Sequence, residues 1–168
     1  MNTAQILEKA KTSKFYLWLL NWGLARMIPF NKPHGFKVEA LSDQSIATSL
    51  PYKSSNFNHI RGIHACALAT LSEFTTGVLL ISRLDPAKYR IILKTLSMDY
   101  HYQGKMGVKA QFEITNEWLE SHILTPLKSA ESTDIICEVK TYDTAGNHIC
   151  TGQVNWQIKS WDKVKMKV

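Results

Sequence analysis

From Ile63 to Ile81 the chain can run for about five turns of helix with almost no water-facing residue. Only His64, Glu73 and small Ser, Thr and Cys residues interrupt the hydrophobes. A helix that is apolar all round belongs inside a core, so the rest of the chain has to wrap it. Glu73 is the exception that needs a reason. A buried carboxylate either finds a partner or is pushed towards its neutral form, and that is where acid-base chemistry is recruited.

A polar loop, Asn58-His59-Ile60-Arg61-Gly62, leads into this helix. Nine residues of helix put His64 and Glu73 on nearly opposite faces, ~13 Å apart along the axis. One copy of the chain therefore cannot bring both to one small site. If both are functional, the simplest arrangement sets His64 of one protomer against Glu73 of another across a two-fold axis, giving two equivalent sites. The competing account pairs Glu73 with a Lys or Arg.

Asn58, His64 six residues later at the helix start, and an acid at Glu73 together resemble the hotdog-fold acyl-CoA thioesterases of the phenylacetic-acid-pathway and thioesterase-superfamily-member type. The likeness is nearest to the DUF4442 branch and covers about residues 35 to 160. It implies an α+β hotdog fold, with an antiparallel sheet wrapped around the long central helix and an extra N-terminal helix. It also implies a site in which Asn58 positions the water or the thioester and Glu73 is general base or nucleophile. The backbone N–H groups around Ala65 would polarise the thioester carbonyl, which accords with the positive end of a helix dipole. His64 would be structural or orient the thioester, and Gly62 and Ala65 would meet the substrate; independently of the resemblance, Lys53 and Arg61 bracket the Asn58 loop and are the candidates for meeting a phosphate of the substrate. Two positions depart from the family: Ala65-Cys66 stands where many relatives have Gly-Gly, and Glu73 where they have Asp.

Residues 3 to about 28 read as one helix capped by Thr3. Its run from Phe15 to Pro29, with Tyr16, Trp18 and Trp22, is too short to span a bilayer and is interrupted by Asn21 and Arg26. Two readings remain, a helix docked on the sheet and an interfacial membrane anchor through residues 15–30; docking is preferred, because apolar helices usually bury themselves. After a connection through Pro33 and Gly35, strands are expected at 36–41 and 45–50. Tyr89 to Tyr102 has β-favouring residues at both parities and reads as a central strand covered on both faces. Val108 to Thr115 alternates as a half-exposed strand should. Asn116 to Leu127 reads as a short helix or insert capped by Asn116 and broken by Pro126, and 134–142 with 148–161 as a hairpin. The domain organisation expected is an N-terminal helix and connection over 1–34 and the hotdog domain over 35–168.

A length of 168 residues suits a good single core. Three cysteines, an odd number without framework spacing, argue for a reducing, cytoplasmic setting; Cys66 is read as packed rather than nucleophilic. The net charge of +6 favours an anionic partner, but no concentrated basic stripe or recognised module points to nucleic acid. Lys159, Lys163, Lys165 and Lys167 read as a solvated tail. Six histidines without paired spacing give no metal site, and neither a phosphate-binding Gly-rich loop nor a Gly-x-Ser-x-Gly elbow occurs.

The reading is thus a homodimer, or a tetramer of paired dimers, that hydrolyses an acyl-CoA or acyl-carrier thioester without a cofactor. A non-catalytic acyl-CoA-binding module and a hotdog 3-hydroxyacyl thioester dehydratase are the alternatives.

Overall fold

A computed structural model describes residues 3–164. The Thr3 side chain and Lys165 and Lys167, which figure in the sequence reading, lie outside the described part. Helices α1 (Thr3–Ala10) and α2 (Lys14–Met27) precede strands β1 (Lys37–Leu41) and β2 (Ser45–Leu50). The long helix α3 (Ala65–Arg83) follows, then β3 (Tyr89–Tyr100) and β4 (Val108–Glu113). A helical stretch of α4 (Asn116–Leu119), a π turn (Glu120–Leu124) and α5 (Thr125–Ser129) leads to β5 (Ser132–Asp143) and β6 (His148–Ser160). The strands form one antiparallel sheet in the order β1-β2-β4-β5-β6-β3.

The sheet wraps α3, whose Leu71, Leu79 and Leu80 are fully buried with Ser72, Thr75 and Thr76. Those three hydroxyls are tolerated because each donates back along the helix, to the carbonyls of Leu68, Leu71 and Ser72. Thr75 also shares a hydrogen bond with Thr48 of β2 at 2.6 Å, and Thr76 accepts from Trp156 Nε1 of β6 at 2.9 Å. Helix and sheet meet most closely at Gly152, where a Cβ would lie 2.7 Å from Ser72 Oγ. This is the hotdog arrangement.

Four sequence expectations change. The N-terminal helix is two helices, because Ser13 adopts an extended N-cap conformation and restarts the chain at Lys14. The segment at 116–129 is capped by the Thr115 hydroxyl rather than by Asn116, and it passes through Pro126. The π turn absorbs the proline, and the His122 carbonyl, which an α-helix would pair with the amide that Pro126 lacks, accepts from Thr133 Oγ1 instead. Lys163 is no solvated tail: its ammonium donates to the carbonyls of Leu127 and Ala130 at the end of α5.

The fourth change concerns β3, which is an edge strand and not a covered central one. Its two-parity pattern has a local cause. A bulge places Lys94 between the pairs Leu93↔Trp156 and Thr95↔Asn155, so the core-facing side chains switch from Ile91 and Leu93 to Leu96 and Met98. The opposite edge is closed. Asn21 of α2 donates its amide to the Val38 carbonyl (2.9 Å) and accepts the Val38 N–H (2.7 Å), standing in for a further strand. Removing both bonds in Asn21→Ala should cost about 1–3 kcal/mol with an unchanged denaturant slope, measured by urea unfolding.

Candidate active site

The loop before α3 is held by its own asparagine. Asn58 Oδ1 accepts the N–H groups of Ile60 (3.1 Å) and Gly62 (2.9 Å), and the Asn58 N–H donates to the Gly62 carbonyl (2.8 Å). Arg61 is exposed at φ 59°, and its carbonyl accepts from Tyr52 at 2.6 Å. The loop is pinned to its surroundings where Ile63 donates to Gly104 and His64 to Asn56, both at 2.8 Å.

His64 caps α3. Its Nδ1 accepts the Cys66 N–H at 3.1 Å and its carbonyl accepts those of Ala67 and Leu68. An accepting Nδ1 requires a neutral ring on that side. With those amides taken, the Ala65 N–H is the first-turn donor that has no acceptor among the described residues. Ala65 lines a cleft of about 330 Å³, with Asn58 and Leu68 on one wall and Tyr100 to Gly104 on the other. Since Asn58 Oδ1 is committed to the loop, its amide nitrogen is the group free to donate there.

Tyr100, at the end of β3, closes this cleft by donating its hydroxyl to the Ala65 carbonyl at 2.9 Å. Burial, followed by the Cys150 and Cys66 thiols, raises its pKa. The sequence reading did not single it out. The signal was available as the run Tyr100-His101-Tyr102-Gln103, polar aromatics ending a strand beside Gly104.

Asn58 and Ala65 thus share one cleft, and Gly62 lies directly behind its lining against Asn58 and Gln103, while Lys53, Arg61 and Glu73 lie elsewhere. Gly62 spends both its backbone polar groups on Asn58 and is not in the lining. Lys53 is not in the lining, and its ammonium lies against Gly35. Arg61 stays in solvent outside the cleft lining. Glu73 is eight residues past Ala65, ~12 Å along the axis. A larger hollow of about 510 Å³ lies on the outer face of β4 and β5, rimmed by Lys109, Glu113, Glu138 and Lys140, and holds none of these residues.

Glu73 has no ion pair and no side-chain hydrogen bond among the described residues, so the Lys or Arg partner is not there. It is half-buried, and desolvation holds its carboxyl above the ordinary glutamate range. It ends a stripe along α3, Cys66, Ala69, Thr70 and Glu73, that the sheet leaves partly or fully open. Cys66 is therefore exposed rather than packed, whereas burial pushes the thiols of Cys137 and Cys150 up to about 12 and about 11. No group of three metal-ligating side chains occurs among the described residues.

Two measurements check this geometry. His64→Ala should lose ~1 kcal/mol of unfolding free energy, while His64→Asn, which keeps a capping acceptor, should stay within a few tenths. Glu73→Gln should unfold at higher temperature than the wild type at pH 7. The folded state holds the Glu73 proton more tightly, so stability is greatest below the unfolded carboxyl pKa and is lost as pH rises through the folded one. The gain from Gln therefore vanishes in melts taken well below pH 4.5, the ordinary value for the group.

No curated protein matches the sequence. Among solved structures, a Pseudomonas aeruginosa protein called a probable thioesterase superposes with a TM-score of 0.79 at 22% identity, over 85% of this chain and 95% of that one. A Chlorobaculum tepidum protein of unknown function gives 0.74 at 12%, over 90% and 98%. A Haemophilus influenzae thioesterase gives 0.68 at 10%, over 90% and 95%. At these identities the likeness establishes the hotdog fold. The sequence from residue 17 to residue 158 matches a domain described as of unknown function, and the chain belongs to that family, DUF4442.

Proposed function

We propose that this protein hydrolyses thioesters of acyl groups carried by coenzyme A or by a carrier protein. The observation that carries the reading is the Ala65 N–H, which has no acceptor among the described residues, at the positive end of a 19-residue helix whose first residue lines a cleft together with Asn58. A donor so placed stabilises the negative charge that develops on a thioester carbonyl under attack. The names of the Pseudomonas and Haemophilus neighbours agree with this class of reaction.

The base comes from a second copy. The outer edge of β3, with no strand beside it among the described residues, fits a second β3 edge, and the α3 stripe begins next to that strand, where Tyr100 meets Ala65. The stripe spans eight residues, from Cys66 to Glu73, so two of them laid antiparallel across a two-fold axis bring Glu73 of each against the helix start of the other. Glu73 then takes a proton from water as the oxygen adds to the carbonyl carbon. The tetrahedral intermediate, its oxyanion on the Ala65 N–H, collapses with release of the thiolate, and Glu73 returns the proton to sulfur. His64 acts as a positioning residue that holds the helix start, and no cofactor enters the reaction. The basic net charge of +6 favours an anionic carrier such as coenzyme A.

Thiol release from a panel of short, aromatic and long acyl-CoA thioesters tests this. Turnover should fall by ~100-fold or more in Glu73→Ala, as expected for loss of a general base. The wild-type kcat/KM should fall on the acid side as Glu73 protonates, with its inflection above 4.5. A folded wild type that releases no thiol, yet melts higher with acyl-CoA, would instead be an acyl-CoA-binding module.

A further inference from the structure

The N-terminal helices carry a feature that the cleft does not explain. α2 is apolar on both sides. One side, with Leu17, Leu20 and Leu24, packs on the core, and Asn21 ties it to β1. The opposite side projects Phe15, Trp18 and Trp22, which are 63%, 59% and 48% exposed, and Phe30 follows at 63%. Phe15 and Trp18 stack at 6.1 Å. Three large aromatics turned to water on a helix already docked through its other face mark a contact surface.

Charge names the partner. The first 37 residues hold six basic side chains against a single acid, Glu8, and so carry +5 of the chain's net +6. Lys9 and Lys11 are engaged with Tyr16, and with Glu8 and Asp43. Lys14, Arg26, Lys32 and Lys37 are exposed, with no acid within ion-pair distance among the described residues. Helical spacing puts Lys14, Phe15, Trp18, Trp22 and Arg26 within an arc of about 120°. Aromatics are therefore bracketed by cations on one face. Arg26 lies over the Trp22 ring at 4.1 Å, its guanidinium at the level of the indole.

We infer that this face of α2 is a peripheral membrane-binding surface for an anionic phospholipid bilayer. Its aromatic rings enter the headgroup boundary while Lys14, Arg26 and Lys32 meet lipid phosphates and carboxylates. A helix of 14 residues lies in the interface and does not cross it. The binding is the sum of a short apolar insertion and a few charges, so it is reversible and sensitive to salt. The inference stands apart from the thioesterase reading, since it uses none of the cleft residues.

The test is flotation of the full chain with vesicles of phosphatidylcholine alone and with about a third phosphatidylserine. The wild type should float with the anionic vesicles at low salt, with at least a ~10-fold weaker affinity at 0.5 M salt and little binding to phosphatidylcholine. Trp18→Ser with Trp22→Ser, and separately Lys14→Glu with Arg26→Glu, should abolish flotation while keeping the wild-type melting temperature. No flotation of the wild type, or equal flotation with neutral vesicles, overturns the inference. So does a smaller solution mass for the tryptophan variant in light scattering without vesicle binding, which would make the face a contact between copies of the chain.

Discussion

Wrapping a sheet around one helix leaves that helix almost nowhere to put a polar atom. α3 meets the constraint in two ways. Its buried hydroxyls satisfy themselves on the preceding turn, and its closest approach to the sheet is bought with missing side chains. At Gly152 the strand backbone comes within reach of Ser72, and at Gly77 a Cβ would meet the Trp156 ring at 3.2 Å. A sheet held this close excludes water from the helix, and the price falls on the one carboxylate that α3 carries. Glu73 can persist there only because the sheet does not close over the stripe it belongs to.

The two edges of the sheet have opposite chemistry. At β1 a single side-chain amide takes both backbone groups of Val38. At β3 no strand pairs with the outer side among the described residues, and the core-facing residues are only half-buried there. In the proposed assembly the β3 edge is the one that pairs. Pairing of identical open edges is self-complementary and stops at two copies, whereas two open edges would allow continued growth.

The core helix was legible in the sequence because its apolar content has no competing period, and the strand alternation of Val108 to Glu113 was legible for the same kind of reason. The break at Ser13 was hidden among good helix formers, and a bulge at Lys94 imitated the signature of a strand covered on both faces. Pro126 was read as a stop, since local rules do not know that a π turn and the Thr133 hydroxyl will take up the freed carbonyl. At the site, the family resemblance led to Asn58 and to the helix start, but it could not show which atoms were already committed. Only coordinates reveal that Gly62 serves Asn58, that Lys53 turns towards Gly35, and that capping by His64 leaves one amide open.

The three thiols are unequal in a way that has practical use. Cys137 and Cys150 are sealed in the sheet with their protons held firmly, while Cys66 faces solvent at the second position of α3. Because the thiolate is the reacting form, electrophilic reagents discriminate among them without any mutagenesis. The native chain therefore carries its own single attachment point, one residue from the open amide. Because Cys66 opens the stripe on which the proposed second copy lies, its reactivity in the separate chain, and the loss of that reactivity on association, reports whether the stripe is covered.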